Sequence, residues 1–279
     1  MTFLLHEKGK HFTMVKKKTS LEETIMKTLW NSFAAAFSYY SIIPMPKKRF
    51  KEKDAKYQLC FLPLIGVVIG AVLNVWNLGW PYLCNYNFLP AVVFVIVPVI
   101  ISRGHHVDGF IDTVDAICAP KSKEHKLEIL KDTHIGSFAI IISLSYFLIA
   151  LGVWSEMPIN GIPILAIGFV LSRALCAFSI VTFPHAHTSK LLNMINGKVQ
   201  KNVIRVVMII CTCVCATLMY QLEPIYGSCG VLGALISYLY YYYIAKRHFG
   251  GITEAVAGFF VQVCELLIPC FVLVAWKFI

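Results

Sequence analysis

Residues 162–183 read IPILAIGFVLSRALCAFSIVTF. Arg173 is the only charge in the stretch, and the run is longer than the about 20 apolar residues a helix needs to cross a bilayer. Six other stretches have the same character: Tyr57–Gly79, Phe88–Ser102, Ile135–Trp154, Ile204–Tyr220, Gly227–Ala245 and Ala255–Trp276. Phe88–Ser102 is short, and Pro90 and Pro98 predict a bend or tilt in it. A weaker stretch, Leu29–Pro44, contains Asn31, Ser32, Ser38 and Ser41 and reads as a re-entrant or interfacial helix. The expected fold class is therefore all-α, a polytopic transmembrane helical bundle of about seven spans. Residues 1–28 form a basic N-terminal segment, and 29–279 form a single integral membrane domain.

Composition agrees with that reading. Hydrophobic residues make up 58% of the 279 and charged residues only 14%, with a mean hydropathy of +0.69. A soluble domain carries about a quarter charged residues. The Lys-rich N-terminus is not followed by a short apolar core and small-residue cleavage site, so no cleavable signal peptide is expected. Of the ten cysteines, Cys211, Cys213, Cys215, Cys264 and Cys270 fall inside expected spans and read as small apolar side chains. No Cys-x-x-Cys array with ligand spacing marks a structural zinc site.

Net charge is +10, and its distribution predicts orientation. The region up to Lys56 holds twelve of the 25 Lys and Arg residues. Arg103, Lys121, Lys123, Lys126 and Lys131 follow the second stretch, Lys190, Lys198 and Lys201 the fourth, and Lys246 and Arg247 the sixth. The intervening loops, Trp80–Asn87, Ser155–Gly161 and Gln221–Tyr226, contain neither residue type. Basic loops stay on the cytoplasmic side, which predicts a cytoplasmic N-terminus and a cytoplasmic loop 103–134 in the cell membrane. Anionic lipid headgroups account for the basic surface, and no nucleic-acid motif accompanies it.

That loop carries the chemistry. It reads RGHHVDGFIDTVDAICAPKSKEHKLEILKDTH from Arg103, and four of the chain's five aspartates, Asp108, Asp112, Asp115 and Asp132, lie in it. Asp108, Asp112 and Asp115 fall at i, i+4 and i+7, within roughly 60° on a helical wheel. Like charges so placed repel by some tenths of a kcal/mol per pair, which points to a compensating hard cation. Mg²⁺ with oxygen ligands fits, Mn²⁺ is possible, and such ions are shared with substrate phosphates. His105 and His106 beside Asp108 could be drawn as zinc ligands, but oxygen donors dominate. Either histidine could instead donate to a phosphate. Gly104 and Gly109 would let phosphates or a neighbouring helix come close to the backbone. Lys123–Lys131 is amphipathic and could carry Asp132 back to the first three carboxylates. Arg173, in mid-span, is expected to face the bundle interior, binding a phosphate or pairing with Glu265. Pro184-His185-Ala186-His187 reads as a polar turn, and Gly250-Gly251-Ile252-Thr253 as a plain turn or an anion-binding helix start.

These motifs resemble one known family. His106-x-Asp108-Gly109-x-x-Asp112-Thr113-x-Asp115, followed by Leu127-Glu128-Ile129-Leu130-Lys131-Asp132-x-x-Ile135-Gly136-x-Phe138, is similar to cobalamin synthase, or adenosylcobinamide-GDP ribazoletransferase. Ile43-Pro44-Met45-Pro46, Pro63-x-x-Gly66-x-x-x-Gly70, Ser172-Arg173 and Gly250-Gly251-x-Thr253 follow in the family's order. Arg103 stands where the family usually has the first of two glycines, and Ala116 where it has Gly. Glu254-Ala255 replaces a common Gly-Asp, and Gln262 a later Glu, while Glu265 is kept. The resemblance implies Mg²⁺-dependent joining of adenosylcobinamide-GDP to α-ribazole or its 5′-phosphate, with release of GMP. It implies Asp108, Asp112 and Asp115 as holders of one or two Mg²⁺. Asp132 would complete the metal site or act as the base, His106 and Lys131 would assist catalysis, and Arg173, Gly104 and Gly109 would contact phosphates. The expected partners are those two small molecules and membrane lipid. A membrane prenyltransferase shares the metal logic but usually carries a second Asp-rich motif, and no Asp follows Asp132. A transporter would show repeated halves, and none is evident.

Overall fold

The computed structural model describes residues 24–46, 52–82, 88–186, 189 and 199–278. They form a helical bundle. Helix α1 covers 24–40. A 3₁₀ stretch, Glu52–Phe61, leads into α2 (Leu62–Gly79), followed by α3 (Phe88–Ile101), α4 (His105–Cys118), α5 (Lys123–Ile129) and α6 (Ser137–Ser155). Then come α7 (Ile162–Thr182), α8 (Lys201–Leu222), α9 (Pro224–Ile244) and α10 (Glu254–Phe278). Among the described residues, the only β pairing found is an isolated parallel bridge between His185 and Ile252.

Six described helices are long and apolar enough to cross a membrane: Lys56–Tyr82, Ser137–Ser155, Ile159–Thr182, Lys201–Leu222, Pro224–Phe249 and Glu254–Phe278. The pair α3–α4 gives a seventh candidate crossing, but it bends by 92° at the break. With 14 residues, α3 is about 21 Å long. It is the short second stretch expected from the sequence, and α4 leaves its line. The weak N-terminal stretch is not among the candidate spans. Instead α1 buries Ala34, Ala35, Ala36 and Phe37, and the chain just beyond it docks on the end of α3, where the Ile42 N–H donates to the Ile101 carbonyl at 2.8 Å. Most of the basic N-terminal segment, and Lys190 and Lys198, lie outside the described residues.

Helix α7 is the axis of the bundle. Its apolar window is 83% buried, against 22% for α6 and for α8, whose outer faces are apolar and free for lipid. Small residues let α2 lie against it. A Cβ on Gly66 would meet Val170 Cα at 2.8 Å, and one on Gly70 would meet the Ala166 carbonyl oxygen at 2.8 Å. This is the small-xxx-small packing used inside membranes, where close backbone approach replaces the hydrophobic effect as the attraction. Arg173 is fully buried on α7, and its Nη1 pairs with Glu265 on α10. Every described cysteine is free.

Candidate active site

Helix α4 owes its position to the turn before it. The Gly104 N–H donates to the Val99 carbonyl at 2.9 Å and the Arg103 N–H to Ile100 at 3.0 Å. These two bonds are the Schellman closure of a helix C-terminus. It places Arg103 and Gly104 in the left-handed region, at φ 55 and 72. The chain then turns sharply and α4 starts at His105. One face of α4, with Phe110, Thr113, Val114 and Ala116, is buried. Gly109 makes that packing possible, since a Cβ there would meet the Ala255 carbonyl oxygen at 2.7 Å and Gly258 Cα at 3.2 Å. Of the two roles open for Gly109, the neighbouring helix α10 is the one the structure displays.

Helix α5 is pinned across the ends of two others. Ser122 caps it, accepting from the His125 N–H. Buried Lys126 donates from Nζ to the Ile117 carbonyl at 3.1 Å and to His248 Nδ1 at 3.0 Å. The Lys123 Nζ donates to the Lys246 carbonyl at 3.3 Å. Ammonium groups thus cover the otherwise unpaired carbonyls at two helix C-termini.

Between these elements lies a half-open cavity of about 590 Å³. His105, His106, Asp108, Gly109 and Asp112 line it from α4, and Leu127, Leu130 and Lys131 from α5 and the turn after it. Tyr39 and Tyr40 enter from the end of α1, Cys176 and Ile180 from α7, and Thr253 and Glu254 from the start of α10. Thr253 caps α10, its Oγ1 accepting from the Val256 N–H at 3.3 Å. The Glu254 Oε1 is buried and, among the described residues, has no hydrogen-bond partner. Burial, then the nearby charges of Asp108 and Asp115, pushes the Asp112 carboxyl from 3.8 up to about 6. Burial, then Arg173 and His105, holds the His106 imidazole well below its usual value and hence neutral.

The sequence-derived candidates separate into two groups. His106, Asp108, Gly109, Asp112 and Lys131 meet at the cavity. Asp115 lies beside them, its carboxylate against Gly136, where any Cβ would collide with it. Asp132 does not reach the cavity lining. It is exposed and accepts from the His134 N–H at 3.0 Å and from His134 Nδ1 at 2.7 Å, bonds that hold its carboxyl below the usual range. Gly104 sits in the turn. Arg173 lies one turn below Cys176, bonded to Glu265, the Phe169 carbonyl and Ser172. Among the described residues no three His, Cys, Asp or Glu side chains are close enough to hold an ion by themselves.

Sequence reasoning gave no role to Tyr39, Tyr40 or Gln58. Tyr39 and Tyr40 reach the cavity through the docking of α1, and Gln58 reaches it from the 3₁₀ stretch before α2, where its Nε2 donates to the Ala35 carbonyl at 3.4 Å; no local pattern announces either. The Gly250-Gly251 turn and the Pro184–Ala186 turn prove to be one unit. The Ile252 N–H donates to Pro184 at 2.9 Å and the Ala186 N–H to Ile252 at 3.1 Å. That pairing presents Thr253 and Glu254 to the cavity.

A polytopic helical membrane protein with an acidic, half-open cavity at the ends of its helices is the class that fold and site define. A family model described as Cobalamin-5-phosphate synthase matches residues 32–273, and the chain belongs to that family. A protein of Lachnoclostridium phytofermentans named adenosylcobinamide-GDP ribazoletransferase is 39% identical over 88% of this chain and 94% of its own length. A Clostridium botulinum protein of the same name is 31% identical over 87% and 96%. One from Escherichia coli is 25% identical over 84% and 96%. No solved structure matches the chain.

Proposed function

We propose that this chain, a transferase of cobalamin biosynthesis, joins adenosylcobinamide-GDP to α-ribazole or its 5′-phosphate and releases GMP, and that it does so in the cavity of about 590 Å³. The observation that carries the site is the meeting of Asp108 and Asp112 of α4 with Glu254 of α10 around one space. A ribazole hydroxyl oxygen bonds to the phosphorus that carries cobinamide. The bond from that phosphorus to the GMP oxygen breaks, and the hydroxyl proton passes to a base.

The residues present fit a hard divalent cation. Among the described residues a buried Glu254 oxygen has no partner, and like charges crowd Asp112. Two carboxylates on one wall suit Mg²⁺, which is commonly held by one or two carboxylates with waters and substrate phosphates. Asp108 and Asp112 would hold it, with Asp115 one turn further on, and Mn²⁺ could substitute. Its contribution is neutralisation of charge on the pyrophosphate. Neutral His106 can hydrogen-bond the reacting hydroxyl or a phosphate oxygen without taking on charge, and Lys131 can meet a phosphate oxygen. Asp132, turned to His134, has less geometric support as a ligand or base, and the Glu265 pair occupies part of Arg173. The alternating basic and neutral loops support a cell-membrane location with this end cytoplasmic, where a nucleotide-activated substrate is available.

The test is GMP release from membranes containing the protein, given adenosylcobinamide-GDP, α-ribazole and Mg²⁺. Release that requires both substrates supports the assignment. No GMP from the wild type overturns it.

A further inference from the structure

Two aromatic rings at the cavity have no part in the chemistry above. Tyr39 ends α1 and is 56% exposed. Its ring lies parallel to the His105 imidazole, 4° between planes and 5.5 Å between centroids, and Tyr40 packs edge-on at 4.7 Å. Tyr39, Tyr40 and His105 all line the cavity. An exposed tyrosine at a membrane surface is often a headgroup anchor. An anchor has no need of a cavity position or of a parallel ring from the helix that bears the carboxylates.

We propose that Tyr39, backed by His105, is the stacking surface for the aromatic base of the ribazole substrate, and so sets acceptor specificity. The proposal rests on the function proposed above. Parallel rings 5.5 Å apart leave no room for a base between them, so the base stacks on the outer face of Tyr39. His105 precedes Asp108 by three residues, which makes them surface neighbours on α4, about 5–6 Å apart at Cβ. One sugar separates a nucleoside's base from its hydroxyls. A base on Tyr39 therefore places a ribose hydroxyl beside the acidic end of the cavity.

Both substrates carry bases that could stack, and the surroundings choose between them. Guanine has donors and acceptors along its edge, and a site selective for it must answer them with polar groups. The dimethylated benzimidazole of ribazole ends in methyl groups. Leu62, Leu127, Leu130 and Ile180 line the cavity and suit a methyl-bearing edge, while of its neutral polar side chains Gln58 is turned to the Ala35 carbonyl and Thr253 to the Val256 N–H.

The experiment is steady-state GMP release by full-length protein in proteoliposomes, varying each substrate separately for wild type, Tyr39→Ala, Tyr39→Leu and Tyr39→Phe. Removing a stacking ring typically weakens base binding about five- to a hundredfold. The expected result is a KM for α-ribazole raised about tenfold or more in the Ala and Leu variants. The KM for adenosylcobinamide-GDP stays within twofold, and Tyr39→Phe restores most of the ribazole affinity. Tyr39→Leu keeps bulk without a ring, so it remains informative if Tyr39→Ala fails to fold. A rise confined to the GDP-bearing substrate, or no change in either KM, overturns the proposal. Wild-type GMP release in the same series tests the parent reading separately.

Discussion

The middle of the bundle and its cavity end treat charge in opposite ways. In the middle, Arg173 and Glu265 are buried and joined to each other across α7 and α10. At the cavity end, Asp108, Asp112 and Glu254 share a space, and among the described residues no comparable cation is bonded to them and one buried Glu254 oxygen has no partner. A paired buried charge holds helices in register. Unpaired charges on a cavity wall leave an electrostatic deficit for something else to fill. The contrast separates scaffold from site more clearly than the presence of charge does.

The largest expected effect is on the scaffold side. Arg173→Ala leaves Glu265 buried without a partner, which typically costs about 3–5 kcal/mol. Replacing both with apolar residues, Arg173→Met with Glu265→Leu, should recover most of that loss, because the desolvation cost goes with the charges. Thermal unfolding in detergent measures both. If Arg173→Ala melted like the wild type yet lost turnover, Arg173 would belong to the site and the contrast would fail.

On the site side, Asp112→Asn should lower turnover by about 10²–10³, the scale of losing one preorganised electrostatic group, with little change in melting temperature. The same residue has a signature in pH. Its carboxyl is raised from 3.8 to about 6. A raised pKa means the folded state binds the proton more tightly than the unfolded state. Its stabilising contribution is therefore complete below about 3.8 and is lost as pH rises through about 6. Activity should run the other way, because only the carboxylate can hold a cation. Lowering the pH from 7 to 5 without metal should thus raise the melting temperature relative to Asp112→Asn, while wild-type turnover falls. In Asp108→Asn one like charge is gone, so the Asp112 transition moves to lower pH. A transition that stayed at about 6 would show that burial and Asp115, not Asp108, set it.

Much of the scaffold was legible in the sequence, because lipid forces apolar runs of a fixed minimum length and those runs are visible locally. The acidic face of α4 was legible for a similar reason. Helical periodicity fixes which side chains share a face, and Asp108 and Asp112 do line one cavity. Relations set by docking between distant segments were hidden. Tyr39 reaches His105 only because α1 ends against α3, and no periodicity in 24–46 encodes that. Asp132 was expected to swing back with α5. The turn carries Lys131 to the cavity, but Asp132 takes a local bond to the His134 backbone. Such short-range side-chain turns compete with any longer-range partner. Glu254 could be singled out as a substitution in the sequence, yet its direction depends on the bridge between Ile252 and the Pro184–Ala186 turn.

The smallest expected effect lies at the joint between the two levels, the Ser102–Gly104 turn. Arg103 holds a left-handed backbone at φ 55, which costs a residue with a Cβ about 1–2 kcal/mol relative to glycine. Its Nη1 returns part of that by donating to the Ser38 carbonyl at 3.2 Å, an exposed bond that contributes at most about 1 kcal/mol. Arg103→Gly removes both terms, so the net change should be a stabilisation of about 0–2 kcal/mol. Arg103→Ala keeps the strain and loses the bond, so it should be the less stable of the two. Both are read as melting temperatures against the wild type. Glycine above wild type, and wild type above alanine, would show that the joint is governed by backbone geometry. Arginine above glycine would show that the tie from the α3–α4 turn to α1 matters more, and that the docking of α1 is what fixes the edge of the cavity.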